Sequence, residues 1–408
     1  MKDRSNSHSD KASAEAACLP PVSAIRAAAN ELGPLIREAA DEIERERRLP
    51  ERVTRAMKEA GVFGMAMPNT WGGAELELPE QLRVIEALAR LDGSVGWCAL
   101  IGSAGGFMSS WLDDDAARGL FKDVNASTAG SIFFAGKAVE AEGGYRVSGR
   151  WPFVSGCQHS AIIVLTCHVF DRDDKPIFRS TGLHETRLVY VAGSKAKVLD
   201  TWYSTGLRGS GSHDVEMSDV FVPDRCAVSF PDLHSCRPRP LYAHPFAFAY
   251  LFPGVAIGIA RAAIDAFIDV ASHREITIAA LGGQRVLLRM SPHAQIAISQ
   301  AQGLIGSARS LVLEILGEIW SILTHDAVPS LSLRANYLVA MTHAHRSCTE
   351  AVDILYKTNG GSSVYAHCPL ERCFRDIHTI NQHHLASLAF DEKAGQVLLG
   401  LEPFDQLF

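Results

Sequence analysis

Three histidines fall within ten residues near the end of the chain, at 375–384 (RDIHTINQHH): His378, His383 and His384. Imidazole exchanges protons near neutral pH, so this run is a candidate acid–base centre. The same residues suit a metal ion in kind. Their i, i+5, i+6 spacing does not share one helical face, however, and no carboxylate cluster accompanies them. Both facts argue against a metal site. The run holds no glutamate.

Other chemistries are missing from the sequence. There is no phosphate-binding G-x-x-x-x-G-K-[ST] loop, no G-x-S-x-G elbow and no H-E-x-x-H helix. Gly209-Ser210-Gly211 is not a dinucleotide fingerprint, because Asp214 stands where the third glycine belongs. Nine cysteines, an odd number without a C-x-x-C pair, speak against a disulfide framework and for a reducing, cytoplasmic compartment. A formal net charge of -7 speaks against a nucleic-acid binder. The most apolar stretch, 246–260, is about 15 residues long and holds Pro253, which predicts a core helix and no membrane span. The polar N-terminus lacks the apolar core of a signal peptide.

The histidine run must be held by larger elements. Residues 1–20 read as a disordered tail. Apolar residues then recur at steps of three and four through 22–48, and helical patterns continue to about 120, so 21–126 reads as an N-terminal α domain. At 127 the texture changes to β-rich runs at 131–135, 161–170, 187–192 and 215–222, with a hairpin at 137–151 turning on Gly143-Gly144. This block, 127–240, predicts an antiparallel β domain, a small barrel or sandwich. Long apolar-periodic segments at 245–272, 284–322, 330–358 and 384–400 predict a C-terminal helical bundle over 241–408. The fold class is α+β.

Four segments carry a resemblance. The loop 61–73 (GVFGMAMPNTWGG), the segment 149–156 (GRWPFVSG), the segment 206–212 (GLRGSGS) and the pair Arg375-Asp376 resemble, in order, signatures of the acyl-CoA dehydrogenase family. The resemblance covers nearly the whole chain. It implies an N-terminal helical domain, a middle antiparallel β-barrel domain and a C-terminal four-helix bundle, assembled as a homotetramer. True dehydrogenases of one major subgroup place a catalytic glutamate about nine residues after the Arg-Asp pair; here that position is His384, beside His383. With Gly93-Ser94-Val95-Gly96-Trp97, the run instead resembles the two-component flavin-dependent monooxygenases on this fold: aromatic hydroxylases, dibenzothiophene monooxygenases and amine-oxidising nitrososynthases.

The resemblance implies an oxygenase component that takes reduced FMN or FAD from a separate NAD(P)H:flavin reductase. It would use O2 through a C4a-(hydro)peroxyflavin to hydroxylate a small, aromatic substrate. Ser155 would support the flavin adduct, with Trp151, Phe153 and Val154 as its apolar wall; a simple turn at Ser155-Gly156 is the plain alternative. Arg208, Arg274, Gly360 and Gly361 would bind the cofactor, or else serve as local ion pairs and a helix cap. Trp97 and Trp202 would border the substrate. His383 would act as base or proton relay, with His384 next in order. Several such enzymes carry a further histidine on the helix after the G-S-x-G-W pattern; here that helix reads as a small, apolar, glycine-rich wall. Two rivals remain: a dehydrogenase with a displaced base, and an inactive scaffold subunit.

Overall fold

A computed structural model describes residues 22–230, 232–237, 240–244, 247–278 and 283–402. The expected tail, 1–20, lies outside the described residues. The predicted first helix is two: α1 (Val22–Glu31) and α2 (Gly33–Glu46). Pro34 explains the break, since proline is tolerated only in the first turn of a new helix. Ile36, Ala39 and Ile43 then line one buried face of α2. There follow α3 (Glu51–Glu59), α4 (Leu78–Leu91), α5 (Gly93–Ser103), α6 (Gly105–Ser109) and α7 (Asp114–Leu120).

The middle block holds β1 (Thr128–Ala141), β2 (Gly144–Val154), β3 (Ile162–Phe170), β4 (Thr186–Ala192), β5 (Lys197–Leu199), β6 (His213–Pro223) and β7 (Ala227–Ser229). It is not an antiparallel barrel. The seven strands form one open sheet in the order β5-β6-β2-β1-β3-β4-β7, and β1 runs parallel to β3. The predicted hairpin β1–β2 is present, with Gly143 in the left-handed region. After β2 the chain crosses to the far side of β1, which forces the parallel pairing and leaves β5 and β7 as unjoined edges. β1 also bulges between Ser131 and Gly136. A side chain at Gly136 would overlap the Trp151 ring. The bulge turns Ile132, Phe133 and Phe134 outward from the sheet core.

The C-terminal part comprises α8 (Pro253–His273), a hairpin of β8 (Glu275–Ile278) and β9 (Gln284–Leu287), α9 (Pro292–Thr324), α10 (Leu331–Asn359), α11 (Pro369–Ile380) and α12 (Leu388–Leu398). β8 falls between the predicted helical segments 245–272 and 284–322, and β9 takes the first residues of the second, so that helix begins only at Pro292; the β-branched Ile276, Thr277 and Val286 favour strands. The apolar helical stretch runs over 247–273, longer than the 15 residues expected and long enough by length and composition to cross a membrane. Of its most apolar window, 72% is buried inside the protein, the mark of a core helix. Helices from before and after the sheet share one apolar core, and the sheet has a second with Trp151 and Tyr190 at its centre.

Candidate active site

A cavity of about 680 Å³ opens between the sheet, α5 and the C-terminal helices. That volume lies in the usual range for small-molecule sites. On the sheet side, Phe153 takes a left-handed φ of 58° at the end of β2. The Ser155 N–H bonds back to the Phe153 carbonyl at 3.1 Å, a tight turn that sends Phe153 outward and Ser155 inward. The Gly156 N–H then donates to the Ser210 carbonyl at 2.8 Å, tying this turn to the segment before β6.

A chain of hydroxyls results. Trp97 on α5 donates its Nε1–H to Ser155 Oγ at 2.8 Å. Ser155 Oγ lies 2.7 Å from Ser212 Oγ, which lies 2.7 Å from Ser210 Oγ. All three serines are buried and line the cavity. A serine oxygen has one proton and two acceptor sites. When Ser212 donates to Ser155, both acceptor sites of Ser155 are filled and its own O–H points into the cavity.

His383 faces this chain. α11 ends at Ile380, and the His383 N–H closes the turn on the Ile380 carbonyl at 3.0 Å. The ring packs 5.4 Å from Trp97 and 4.8 Å from Phe252. Its Nδ1 accepts the Leu385 N–H at 3.3 Å, which places the ring proton on Nε2. Burial, with His384 and His345 adding to it, pushes the His383 pKa down to about 3. The ordinary histidine titration near neutrality is therefore lost at this position, and the ring is a neutral donor across the physiological range. His384, 4.6 Å away and more open to solvent, also lines the cavity and is lowered by its surroundings and by Lys393. His378 points elsewhere: its Nε2 meets Asp353 at 2.9 Å.

Of the other sequence candidates, Trp97, Phe153 and Trp202 line the cavity. Trp202 donates to the Leu207 carbonyl at 3.1 Å and meets the Phe153 ring edge-on, with ring centres 6.3 Å apart. Trp151 and Val154 lie behind, fully buried in the sheet core, with Trp151 Nε1 on the Thr166 carbonyl at 2.7 Å. They are not the cavity wall. Arg208 donates to the Glu44 carbonyl, Arg274 to Asn359, and Gly360 and Gly361 close the end of α10; none lines the cavity. The wall here is Trp97 and Ile101 of α5 and Ala104 just after it, and the glycines face away: a side chain at Gly102 would strike Phe63. Sequence reasoning missed Ser210, Ser212, Phe252, Gln382, Arg334 and Lys393, all on the cavity. The alternating Gly-Ser-Gly-Ser at 209–212 was a readable signal for two of them, and Gln382 lies in the histidine run itself; Phe252, Arg334 and Lys393 come from segments distant in sequence.

Beneath the site sits a buried carboxylate pair. Asp92 caps α5 by accepting the Ser94 and Val95 N–H groups at 2.9 and 3.1 Å. Asp376 on α11 accepts the Leu207 N–H at 2.6 Å. Burial first, and Asp92 second, push the Asp376 pKa up to about 8. A side chain at Gly93 would come within 2.7 Å of Asp376, and one at Gly206 would overlap the Arg375 carbonyl. Among the described residues no group of three or more His, Cys, Asp or Glu is placed to hold a metal.

Known proteins resemble this chain along most of its length. Family models for the N-terminal and C-terminal domains of acyl-CoA dehydrogenase match residues 23–111 and 250–388. Indole-3-acetate monooxygenase of Pseudomonas putida is 28% identical over 368 residues, 89% of this chain and 90% of its own. The oxygenase component of p-hydroxyphenylacetate 3-hydroxylase of Acinetobacter baumannii is 29% identical, over 91% of this chain and 87% of its own. Among solved structures, XiaF from Streptomyces sp. in complex with FADH2 and glycerol superposes with a TM-score of 0.85 at 25% identity, over 94% of this chain and 96% of that one.

Proposed function

Because the chain belongs to the acyl-CoA dehydrogenase superfamily, among its flavin-dependent monooxygenases, we propose that it is the oxygenase component of a two-component system that hydroxylates a small aromatic substrate. One observation carries the choice over a dehydrogenase. Among the described residues lining the cavity there is no Asp or Glu. Abstraction of an α-proton before hydride transfer needs such a base. The acid–base groups beside the hydroxyl chain are the Ser155 hydroxyl and a neutral His383, with His384 next to it.

The donor set fits a reduced flavin. A planar heteroaromatic ring needs apolar walls and a few N–H or O–H groups at its polar edge, and the cavity offers both. Bound reduced FMN or FAD, with dioxygen, supplies the oxidising power. Ser155 would present its O–H to the polar edge of a bound flavin, with Trp97 and Ser212 occupying its acceptor sites. Trp202 and the buried Phe252 would exclude water, which suppresses loss of the oxidant as hydrogen peroxide. The His383 Nε2–H donates to an oxygen of the substrate and orients the ring; it is a positioning donor and not a base at neutral pH.

The reduced flavin comes from a separate NAD(P)H-dependent reductase and diffuses to the cavity. The assembly is a homotetramer in the cytoplasm; exposed Ile268, Met290 and Ile296 on the helical surface and eight described cysteines, all free, support that part. The test is stopped-flow mixing of the reduced-flavin complex with oxygenated buffer. A transient absorbance distinct from reduced and oxidised flavin, followed by hydroxylated product, is expected. Reoxidation at the free-flavin rate with no transient would overturn the reading.

A further inference from the structure

Trp202 reaches the cavity from a short strap, 200–203, between β5 and the segment that carries Ser210 and Ser212. The strap belongs to no helix or strand, so its backbone groups need partners from elsewhere. The start of β6 supplies one. Ser212 lines the cavity, whereas the next residue, His213, turns its ring away to the strap, as alternation along an extended chain requires. The imidazole is 2% exposed, and its Nδ1 accepts both the Thr201 N–H and the Trp202 N–H, each at 3.1 Å. The ring proton is therefore on Nε2. Burial holds the His213 pKa below the usual histidine value, against the pull of Asp200, whose carboxylate lies 3.6 Å from Nδ1. Nδ1 thus stays free to accept at neutral pH.

The outer side of the strap is held by a different device. Arg47, at the left-handed end of α2, meets the Asp200 carboxylate at 2.6 and 3.1 Å and donates to the Trp202 carbonyl at 3.3 Å. Its guanidinium lies 4.0 Å over the Tyr203 ring, whose O–H donates to Asp200 at 2.6 Å. Asp200 and Tyr203 are exposed, so water and salt compete for these contacts. The buried imidazole is shielded from that competition, and losing it leaves two N–H groups without their acceptor. The indole N–H is pinned separately on the Leu207 carbonyl. Phe153, which the indole meets edge-on, lines the cavity and is 56% exposed, so the two rings stand where the cavity meets solvent.

We propose that His213 is a positioning residue for this wall: it fixes the Trp202 backbone from behind and so keeps the indole across the cavity opening. His213 itself does not line the cavity. Its bearing on the reaction rests on the oxygenase reading, in which Trp202 keeps water from the oxidant. Its hold on Trp202 does not.

Fluorescence reads the wall without flavin or turnover. Subtracting the emission of a Trp202→Phe counterpart from that of each protein isolates Trp202, and acrylamide quenching reports its access to solvent. His213→Leu fills the space of the ring but removes the acceptor. It should raise quenching of the Trp202 component about fivefold, as a wall that opens part of the time does. His213→Asn sets an amide oxygen where Nδ1 stands and should return quenching to within about twofold of the unaltered protein. Product per flavin oxidised should follow the same order, falling about fivefold in His213→Leu with hydrogen peroxide rising to match, and recovering in His213→Asn. A Trp202 as shielded in His213→Leu as in the unaltered protein overturns the proposal. So does equal exposure of Trp202 in both variants. Displacement of Trp202 with coupling unchanged overturns its part in the reaction. The expected quenching order in a protein that never oxygenates would instead overturn the oxygenase reading and leave the hold on Trp202 standing. Should neither variant fold, nitrogen NMR of isotope-labelled histidine in the unaltered protein decides. A bare Nδ1 and a protonated Nε2 are expected at neutral pH, and a protonated Nδ1 overturns the proposal.

Discussion

The carboxylate pair Asp92–Asp376 and the cavity wall around Ser155 and His383 are built from the same stretches of chain, and their electrostatics are opposite. The stretch 92–97 gives Asp92 to the pair and Trp97 to the cavity. The stretch 206–212 gives the Leu207 N–H to the pair and Ser210 and Ser212 to the cavity. The stretch 375–384 gives Asp376 to the pair and His383 to the cavity. In the pair, burial raises acids and holds one proton. In the cavity, burial lowers a base and sheds one. One end of each stretch therefore locks three segments together, and the other end faces the cavity. Much of what makes these segments recognisable belongs to the lock.

The largest expected effect separates the two ends. Gly206→Ala drives a side chain into the Arg375 carbonyl, which is backbone and cannot step aside. It should cost about 3 kcal/mol of stability, read by denaturant unfolding, while the folded fraction keeps its coupling of product to flavin oxidised. Ser155→Ala should do the reverse. On the proposed function it removes the hydroxyl that would meet the cofactor, and should lower product per flavin oxidised about 10- to 100-fold, ~1.4–2.8 kcal/mol. Its cost in stability should stay near ~1 kcal/mol, that of one orphaned indole N–H. If both variants lose stability and coupling in step, the two ends are not separable.

His383→Ala comes next. A neutral donor lost should lower coupling about tenfold, with no change in the pH profile of product formation between about 5 and 8. A base working near neutrality would instead give a loss above about a hundredfold and remove an ionisation near 6.5. The two ends should also respond oppositely to pH in stability. Asp376 keeps its proton in the fold, so its contribution is complete at low pH and is lost as pH rises from the carboxyl range to about 8. His383 sheds its proton in the fold, so its contribution is complete above about 6.5 and is lost as pH falls toward about 3. Asp376→Asn should remove only the fall of the unfolding free energy as pH rises toward about 8, and His383→Gln only its rise as pH climbs from about 3.

Much of this was legible in the sequence. The helical blocks follow apolar periodicity, and Gly143-Gly144 marks the β1–β2 turn. His383, Ser155, Trp97 and Trp202 could be named from their segments and do meet at the cavity. What was not legible is which face of a strand or which side of a helix looks inward. Trp151 and Phe153 are two residues apart and would share a face in a regular strand, but the left-handed Phe153 breaks the alternation. The parallel pairing of β1 with β3 depends on a crossover that no local pattern records. The neutral state of His383 depends on packing by Phe252, more than a hundred residues away.

The smallest expected effect is the most specific to the hydroxyl chain. Ser212 touches Ser155 at 2.7 Å and stands one bond further from the cofactor edge. Removing its hydroxyl leaves Ser155 with one acceptor site unfilled. The Ser155 O–H then has the freedom to turn away from the cavity, and only a fraction of molecules present it at any moment. Ser212→Ala should therefore lower product per flavin oxidised about threefold, under ~1 kcal/mol, with hydrogen peroxide rising to match. Ser212→Thr keeps the hydroxyl and should restore coupling. In a Ser155→Ala background, Ser212→Ala should add nothing, because the hydroxyl it aims is already gone. Additive losses in that double variant would mean that Ser212 reaches the cofactor by itself, and that the chain of hydroxyls does not act as one unit.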